Sequence, residues 1–146
     1  MDIVERNLVY TGRAFRVESV QVRLPDGRKR RYDLVNHRGA VTILPLDEEG
    51  RVWFVRQWRI GAQQELLELP AGVLEESEDP TAGAAREVRE EIGMAAGTLL
   101  EIGQFYMAPG YSTELMHVFL ATDLTPDPLR ADDDEFLEII RIPLAQ

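Results

Sequence analysis

Alternation of apolar and polar residues predicts two pairs of strands in the first half of the chain. Residues 15–24 (FRVESVQVRL) alternate loosely, meet a Pro-Asp-Gly turn, and resume at residues 30–35, which predicts an antiparallel hairpin. A second pair of runs, residues 41–46 and 52–57, flanks the turn at residues 47–50. This pair is richer in apolar residues, so we predict that its strands are central. Further strand candidates are residues 65–69, 99–105, 115–121 and 136–142.

One helix is predicted between residues 79 and 93. Asp79 has the character of an N-cap residue, Pro80 suits the first helical position, and Gly93 suits the C-terminal end. The apolar stripe at helical spacing consists of Ala84, Ala85, Val88 and Ile92. Residues 125–128 and 131–135 are predicted loops. Because there is no internal repeat or low-complexity linker, we predict one α/β domain in which strands predominate.

Length and composition restrict the classes of protein that fit. A chain of 146 residues, 45% hydrophobic and 29% charged, is typical of one globular domain. The first ten residues lack the basic start and apolar stretch of a signal peptide, and no apolar run is long enough to cross a membrane. The absence of cysteine excludes disulfides and thiolate metal sites, and it favours a cytoplasmic location.

The net charge of −10 disfavours a polyanionic partner. Nucleic acid would be repelled at long range, so we expect none. A small anionic substrate remains compatible, because bound divalent cations reverse the sign of a site. Any metal would be held by oxygen ligands or by His37 and His117, and we expect these two histidines to be structural rather than catalytic.

Three glutamates share one arc of the predicted helix. Glu87, Glu90 and Glu91 are spaced i, i+3 and i+4, which places them together at about 100° per residue. Like charges at this spacing destabilise a helix by roughly a few tenths of a kcal/mol, and the C-terminal half of a helix prefers cations. The arc is therefore either a surface stripe relieved by Arg86 and Arg89 or a site for something positive.

A longer motif distinguishes these two alternatives. Gly72 is followed by five residues and Glu78, then by seven residues and the run REVREEIGM at residues 86–94. A glycine loop that leads into a helix carrying acids suits a hard divalent cation bound through oxygen. The motif resembles the box of the Nudix hydrolases at every specified position. The chain is thus identified, by resemblance, as a member of that family.

The resemblance implies an α/β/α sandwich around a mixed β-sheet and metal-dependent hydrolysis of a nucleoside diphosphate linked to another moiety. It implies that Glu87 and Glu91 are the principal metal ligands, with Glu90 in support and the carbonyl of Ala71 as a backbone ligand. Mg²⁺ is the expected cofactor, and Mn²⁺ is a candidate substitute. The metals would bridge diphosphate oxygens and acidify the attacking water.

The other box residues have implied roles as well. Arg86 is expected to orient the acids, Glu78 to be a structural partner in the loop, and Gly72 and Gly93 to be structural. One carboxylate takes the proton of the attacking water, and Glu90 is one candidate.

Relatives place the base on a late acidic loop, where Glu135 is the nearest candidate. The alternative is that residues 132–135 form a solvated turn.

Three segments outside the box are similar to those of ADP-ribose pyrophosphatases. They are VRQWR at residues 55–59, ELPAG at 68–72 and APGYSTE at 108–114. The expected substrate is therefore ADP-ribose, cleaved to AMP and ribose 5-phosphate. Other nucleotide sugars, dinucleoside polyphosphates and nucleoside triphosphates remain alternatives, and Trp58 stands where relatives often have tyrosine. A non-catalytic nucleotide-binding module is the rival from another class, although all three box acids are present.

The same segments supply candidate substrate-binding residues. Arg59 suits a diphosphate because its fork binds two oxygens at once, and the alternative is a surface ion pair. Arg56 and Glu68 are further candidates. Glu114 either bonds a ribose hydroxyl or is a solvated loop acid.

The N-terminal region, residues 1–38, is expected from the resemblance to add strands and to form a homodimer, while residues 39–146 form the Nudix core. Tyr10 and Phe15 either stack on an adenine or pack within the protein. The family usually continues through another helix after the position of Gln146, which keeps broader nucleotide-sugar substrates open.

Overall fold

A computed structural model describes residues 1–130 and 136–144. Within these ranges the strands are β1 (Asp2–Thr11), β2 (Phe15–Arg23), β3 (Lys29–His37), β4 (Ala40–Pro45), β5 (Arg51–Arg59), β6 (Gln64–Glu68), β7 (Ala71–Val73), β8 (Met94–Tyr106), β9 (Leu115–Pro126) and β10 (Glu138–Pro143), and the helix is α1 (Pro80–Glu91). The chain divides into two compact units. The N-terminal unit comprises residues 1–39 and 105–116, and the core unit comprises residues 40–104 and 117–146.

The N-terminal unit contains an antiparallel sheet of order β1-β2-β3. The predicted hairpin is confirmed as β2 and β3, joined by a turn in which Gly27 adopts a φ of 84°. Strand β1 was not predicted. Its register with β2 shifts between Ile3 and Glu5 and again between Leu8 and Tyr10, so its side chains do not keep a period of two.

The core unit contains two sheets, of orders β10-β5-β6 and β7-β4-β9-β8. Strands β4 and β5 are each flanked by two others, so the prediction that they are central is confirmed. They do not, however, form a ladder with each other. One bridge, Leu46 to Val52, joins them, and the turn at residues 47–50 passes the chain from one sheet to the other. Both strands find their partners elsewhere, β4 with β7 and β9 and β5 with β6 and β10.

Both predicted ends of the helix are confirmed. The Asp79 carboxylate accepts hydrogen bonds from the backbone N–H groups of Thr81 at 2.9 Å and Ala82 at 3.2 Å, and Pro80 follows the cap. Gly93 lies just beyond the last turn with a φ of 70°, a left-handed conformation that costs glycine little. These signals fix α1 at the position that the box requires.

The hydrophobic core of the core unit lies where α1 packs against β4. Strands β5 and β9 also contribute side chains to it. Its buried members are Val41, Ile43, Trp53, Val55, Leu74, Ala84, Val88, Ile92, Phe119 and Ala121. Three residues of the predicted helical stripe are buried, and Ala85 is half-buried. Full burial of an aliphatic side chain contributes about 1.5–3 kcal/mol. The helix is thus held by its apolar face, which fixes the direction of its acidic arc.

Later elements differ in length from the prediction. Strand β8 begins directly after the helix, and β9 extends to Pro126, so the predicted loop at residues 125–128 starts inside a strand. The predicted loop at residues 131–135 lies outside the described residues. In the part of the chain that the structure describes, no helix is long and apolar enough to cross a membrane.

Candidate metal centre

Arg86 lies at the centre of a carboxylate cluster formed by the second half of α1 and the loop that precedes the helix. Its Nε donates to Glu78 Oε1 and its Nη2 to Glu78 Oε2, both at 2.9 Å, which makes a two-pronged pair. Its Nη1 donates to Glu87 Oε1 at 2.6 Å and to Glu90 Oε2 at 2.8 Å. One guanidinium therefore holds three carboxylates, two from its own helix and one from the preceding loop.

Strand β7 brings the backbone against Glu91 and Glu87. The Ala71 N–H donates to Glu91 Oε2 at 3.0 Å. A Cβ added at Gly72 would overlap the Glu87 carboxylate, so only glycine allows this close approach. The predicted positions Ala71, Gly72, Glu87 and Glu91 thus lie together.

Two acids of the cluster are buried, and the other charged members are half-buried. Glu87 and Glu91 expose 7% and 5% of their surface. Hydrogen bonds to Glu78, and the attraction of Glu87, raise the pKa of the Arg86 guanidinium above its ordinary value. The hydrogen bond from Arg86 in turn lowers the pKa of Glu78. In the described contacts, Arg86 faces the carboxylates of Glu78, Glu87 and Glu90, and Glu91 lies beside them on the same helix. Carboxylates gathered in this way are stabilised by a bound cation.

The donor chemistry of this cluster fits a hard divalent cation. All side-chain donors are carboxylate oxygens, the ligands that Mg²⁺ and Mn²⁺ prefer. Among residues 1–130 and 136–144, however, no three acidic or histidine side chains are gathered closely enough to hold an ion as they stand. Glu87 and Glu90 are turned to Arg86, and Glu91 is turned to the Ala71 N–H. A cation would therefore draw these carboxylates out of their present hydrogen bonds.

Arg59 and Glu68 form an ion pair near the end of β5. Arg59 Nη2 lies 2.7 Å from Glu68 Oε2. Gln57 also donates to the Glu68 carboxylate, at 3.2 Å. Sequence reasoning missed Gln57, because its part in the pair depends on the cross-strand register of β5 with β6.

The two arginines predicted in this segment lie on opposite faces of their sheet. Side chains alternate along β5, so Arg59 shares a face with Val55, whose side chain lies in the core with α1. Arg56 lies on the other face, where its Nη1 is 2.9 Å from Glu138 Oε2 on β10. The two therefore do not line one surface.

The remaining predicted residues are not part of this cluster in the described structure. Tyr10 and Phe15 belong to the N-terminal unit, where their rings lie 6.5 Å apart at a tilt of 52°. Glu114 belongs to the same unit, and its backbone N–H donates to Ser112 Oγ at 3.1 Å. Glu135, the candidate base, lies outside the described residues.

The two histidines have local partners. His37 Nδ1 accepts a hydrogen bond from the Gly39 N–H at 3.1 Å. His117 Nδ1 lies 2.9 Å from Glu101 Oε1. Neither is among the residues that surround Arg86.

An acidic cluster on a capped helix, beside the glycine of the motif, is the arrangement that the box motif led us to expect. The model of the NUDIX domain matches residues 36–146. The chain therefore belongs to the Nudix hydrolase family, and the predicted family and fold class are confirmed. Nudix hydrolases generally need divalent cations.

Similar proteins point to a particular branch of the family. The chain is 35% identical over 143 residues to the ADP-ribose pyrophosphatase of Bacillus subtilis (strain 168), covering 97% of this chain and 77% of that protein. It is 31% identical over 140 residues to the GDP-mannose pyrophosphatase of Citrobacter koseri, covering 83% of this chain and 72% of that protein. A crystal structure of an ADP compounds hydrolase superposes with a TM-score of 0.86 at 31% identity, covering 99% of this chain and 78% of that one.

Proposed function

We propose that this protein hydrolyses the diphosphate of nucleoside diphosphate compounds with the aid of Mg²⁺, and that ADP-ribose, cleaved to AMP and ribose 5-phosphate, is its preferred substrate. The observation that carries the proposal is the gathering of four carboxylates at the box, three of them bonded to Arg86 and two of them buried. Such a cluster gains most from a small, hard dication that is itself bound to diphosphate oxygens. Mn²⁺ would serve as a substitute because it prefers the same ligands.

Each residue of the cluster has a defined part in the proposed reaction. Glu87 and Glu91 bind the cation, Glu90 supports them, and Ala71 contributes its carbonyl. The cation, when bound, neutralises charge on the diphosphate and lowers the pKa of a water molecule. Glu90 or Glu135 would accept the proton of a water whose oxygen bonds to one phosphorus while that phosphorus loses the bridging oxygen, which leaves on the other phosphate, so that AMP and ribose 5-phosphate are released.

Residues around the cluster fix its shape and the position of the substrate. Arg86, which Glu78 holds in place, keeps Glu87 and Glu90 side by side at one nitrogen, and Gly72 lets β7 approach Glu87. Arg59 binds the diphosphate, and it lies on the face of its sheet that turns toward α1. We assign Glu114 to a ribose hydroxyl and Tyr10 and Phe15 to the base.

A GDP-mannose substrate is the second candidate. It is supported by the similarity to GDP-mannose pyrophosphatases, whereas the ADP-ribose assignment is supported by the higher identity to an ADP-ribose pyrophosphatase. Both substrates present the same diphosphate to the same carboxylates, so the metal cluster does not discriminate between them.

A hydrolysis panel tests the proposal. ADP-ribose, GDP-mannose, a diadenosine polyphosphate and a nucleoside triphosphate are each incubated with Mg²⁺ or EDTA, and the products are identified by chromatography. We expect AMP and ribose 5-phosphate from ADP-ribose, at the highest kcat/KM, and no products in EDTA. A higher kcat/KM for another compound would refute the ADP-ribose assignment. Tight nucleotide binding without turnover in any divalent metal would show that the protein is a nucleotide-binding module and not an enzyme.

We further propose a homodimer formed through the N-terminal strands of residues 1–38, with residues 39–146 as the Nudix core and a cytoplasmic location. All ten residues of β1 are exposed, and they include Leu8, Val9 and Tyr10, each more than half exposed. Apolar side chains concentrated on one strand are typical of an association surface. The location rests on the absence of cysteine.

Light scattering tests the proposed dimer. The protein should have twice the monomer mass, and Leu8→Asp should reduce that mass to the monomer value. Val4→Asp is not a suitable control because it lies on the same strand, so Arg28→Asp, at the distant turn of the β2–β3 hairpin, serves instead. A wild-type monomer at working concentration would contradict the dimer without affecting the proposed chemistry.

A further inference from the structure

We propose that Glu68 is a positioning residue that aims the Arg59 guanidinium at the substrate diphosphate, with Gln57 holding Glu68 in turn. This inference rests on the proposed function. It differs from our sequence-based expectation that Glu68 itself contacts the substrate. We call these three residues the Arg59 clamp.

The contacts of the Arg59 clamp fix the plane of the guanidinium. Arg59 Nε donates to Glu68 Oε2 at 2.9 Å, and Nη2 donates to the same oxygen at 2.7 Å. Two donors from one edge of a planar, rigid group define its orientation as well as its position. Gln57 Nε2 donates to the same Glu68 oxygen at 3.2 Å, so the acceptor is itself held.

The reach of Arg59 distinguishes the clamp from an ordinary surface ion pair. Glu68 stands opposite Val55, whereas Arg59 stands opposite Gln64, so the partners are offset by four residues, or about 13 Å along the strand. The Arg59 side chain therefore runs along β5 toward the level of Val55 and does not extend into solvent.

The short segment after Glu68 connects the clamp to the metal centre. Ala71, whose N–H bonds Glu91, is three residues further on, which limits the separation of the two Cα atoms to about 11 Å. Pro70, in between, is fully buried, and its carbonyl accepts a hydrogen bond from the Ile43 N–H at 2.8 Å. A rigid segment therefore holds Glu68, and through it Arg59, at a fixed distance from the box carboxylates.

Burial supports a role in positioning over one in stability. The Arg59 side chain is 44% exposed and the Glu68 side chain 25%. Solvent screens such a pair, so its removal should change the stability of the fold little. It should change the direction in which Arg59 points, and a misplaced contact of about 1 Å is enough to weaken substrate binding strongly.

A double-mutant cycle tests the clamp, with KM and kcat measured for the best substrate of the panel in Mg²⁺. We expect Arg59→Ala to raise KM on the order of 100-fold and Glu68→Gln to raise it roughly tenfold, with kcat within about threefold of wild type. The double variant should match Arg59→Ala, because Glu68 acts only through Arg59. If the two effects multiply instead, Glu68 contacts the substrate itself and the clamp is wrong.

Glu49→Gln is the matched control. It removes an exposed ion pair to Arg51, which lies on the same strand and the same face as Arg59. Its KM should equal that of the wild type. The unfolding midpoint of Glu68→Gln is measured as well, since a lowered midpoint with unchanged KM would mean a structural role only and would overturn the clamp.

Binding of inorganic pyrophosphate in Mg²⁺, measured by calorimetry, separates failure of the clamp from failure of the proposed function. Suppose that the wild type hydrolyses nothing in the panel, but that Glu68→Gln weakens pyrophosphate binding in the wild-type background and not in the Arg59→Ala background. The clamp then stands and the proposed function fails. If the wild type hydrolyses its substrate but Glu68→Gln binds pyrophosphate normally, the clamp fails alone. A wild type that neither turns over nor binds pyrophosphate overturns both.

Discussion

Two charged clusters in the core unit have opposite compositions. At the box, one arginine, Arg86, serves the carboxylates of Glu78, Glu87 and Glu90. At the turn between β4 and β5, one carboxylate, Asp47, accepts hydrogen bonds from Arg51 and from the Trp53 indole N–H at 2.8 Å. Within the described contacts, one cation thus serves several acids in the first cluster, whereas several donors serve one acid in the second.

The comparison shows that charge balance distinguishes a site from a structural turn. A cavity of about 200 Å³ lies beside Asp47, lined in part by Met94 and Leu124, so a cavity and charged side chains are present there too. Burial alone would raise the pKa of Asp47, but the hydrogen bonds from the Arg51 N–H, Trp53 and the Arg51 guanidinium outweigh it and lower the pKa to about 2. Nothing further is needed to stabilise that charge. At the box, by contrast, the described contacts place three carboxylates on the single guanidinium of Arg86.

The largest expected effect is on turnover, from Glu91→Gln. A neutral amide is a poor ligand for a hard cation, although its oxygen can still accept the Ala71 N–H. We expect kcat to fall on the order of 10²–10³-fold while the circular dichroism spectrum stays that of the wild type. Glu76→Gln, an exposed acid in the preceding loop, is the control. Near wild-type turnover of Glu91→Gln at limiting Mg²⁺ would refute its role.

Arg86→Gln should lower stability more than any change at the Asp47 turn. It leaves partly buried carboxylates without their counter-ion, which should cost about 2–4 kcal/mol of unfolding free energy in the absence of metal. Urea unfolding in EDTA measures the loss. Arg89→Gln, on the same helix, removes a more exposed pair to Asp127 and should cost less than about 1 kcal/mol. Equal stability of the two variants would show that Arg86 is not a needed counter-ion.

Asp47→Asn should affect stability but not catalysis. Replacing the charged acceptor weakens its hydrogen bonds to Arg51 and Trp53, at a cost of about 1–3 kcal/mol. Urea unfolding and kcat are measured on the same preparation. Unchanged stability with reduced kcat would mean that Asp47 has a catalytic role and not a structural one.

The same variant gives the smallest effect, a change in acid sensitivity. The folded-state pKa of Asp47, about 2, lies below its ordinary value of 3.8. Its contribution to stability is therefore fully present above about pH 4 and is lost as the pH falls through about 2. Asp47→Asn should lose less unfolding free energy than the wild type across this window. Parallel pH profiles of the two proteins would contradict the lowered pKa.

The sequence was sufficient for the helix and for the membership of the box cluster. Asp79, Pro80 and Gly93 signal the ends of α1 by local backbone chemistry, and local signals do not depend on the rest of the fold. Once the helix is placed, its period puts Glu87 and Glu91 on one arc. The spacing to Gly72 then indicates the segment that meets them, although this segment was predicted as a loop and the structure shows it as strand β7. Only the structure shows how deeply Glu87 and Glu91 are buried.

Features that depend on distant partners could not be predicted. Strand β1 breaks its alternation with two register shifts, so no period reveals it. The turn after β4 looks like that of a hairpin, but sheet membership is decided by β7, β9, β6 and β10. The bond between Arg59 and Glu68 requires a cross-strand register and a backward reach along β5, neither of which is encoded locally.

The most direct test of the account is the effect of Mg²⁺ on the unfolding free energy of three proteins, the wild type, Asp47→Asn and Glu91→Gln. Binding to the folded state alone should stabilise the wild type by about 2.7 kcal/mol at a Mg²⁺ concentration 100 times Kd. Asp47→Asn should gain the same increment, and Glu91→Gln should gain little. Equal increments in the wild type and Glu91→Gln would contradict the claim that the charge imbalance at the box marks the cation site.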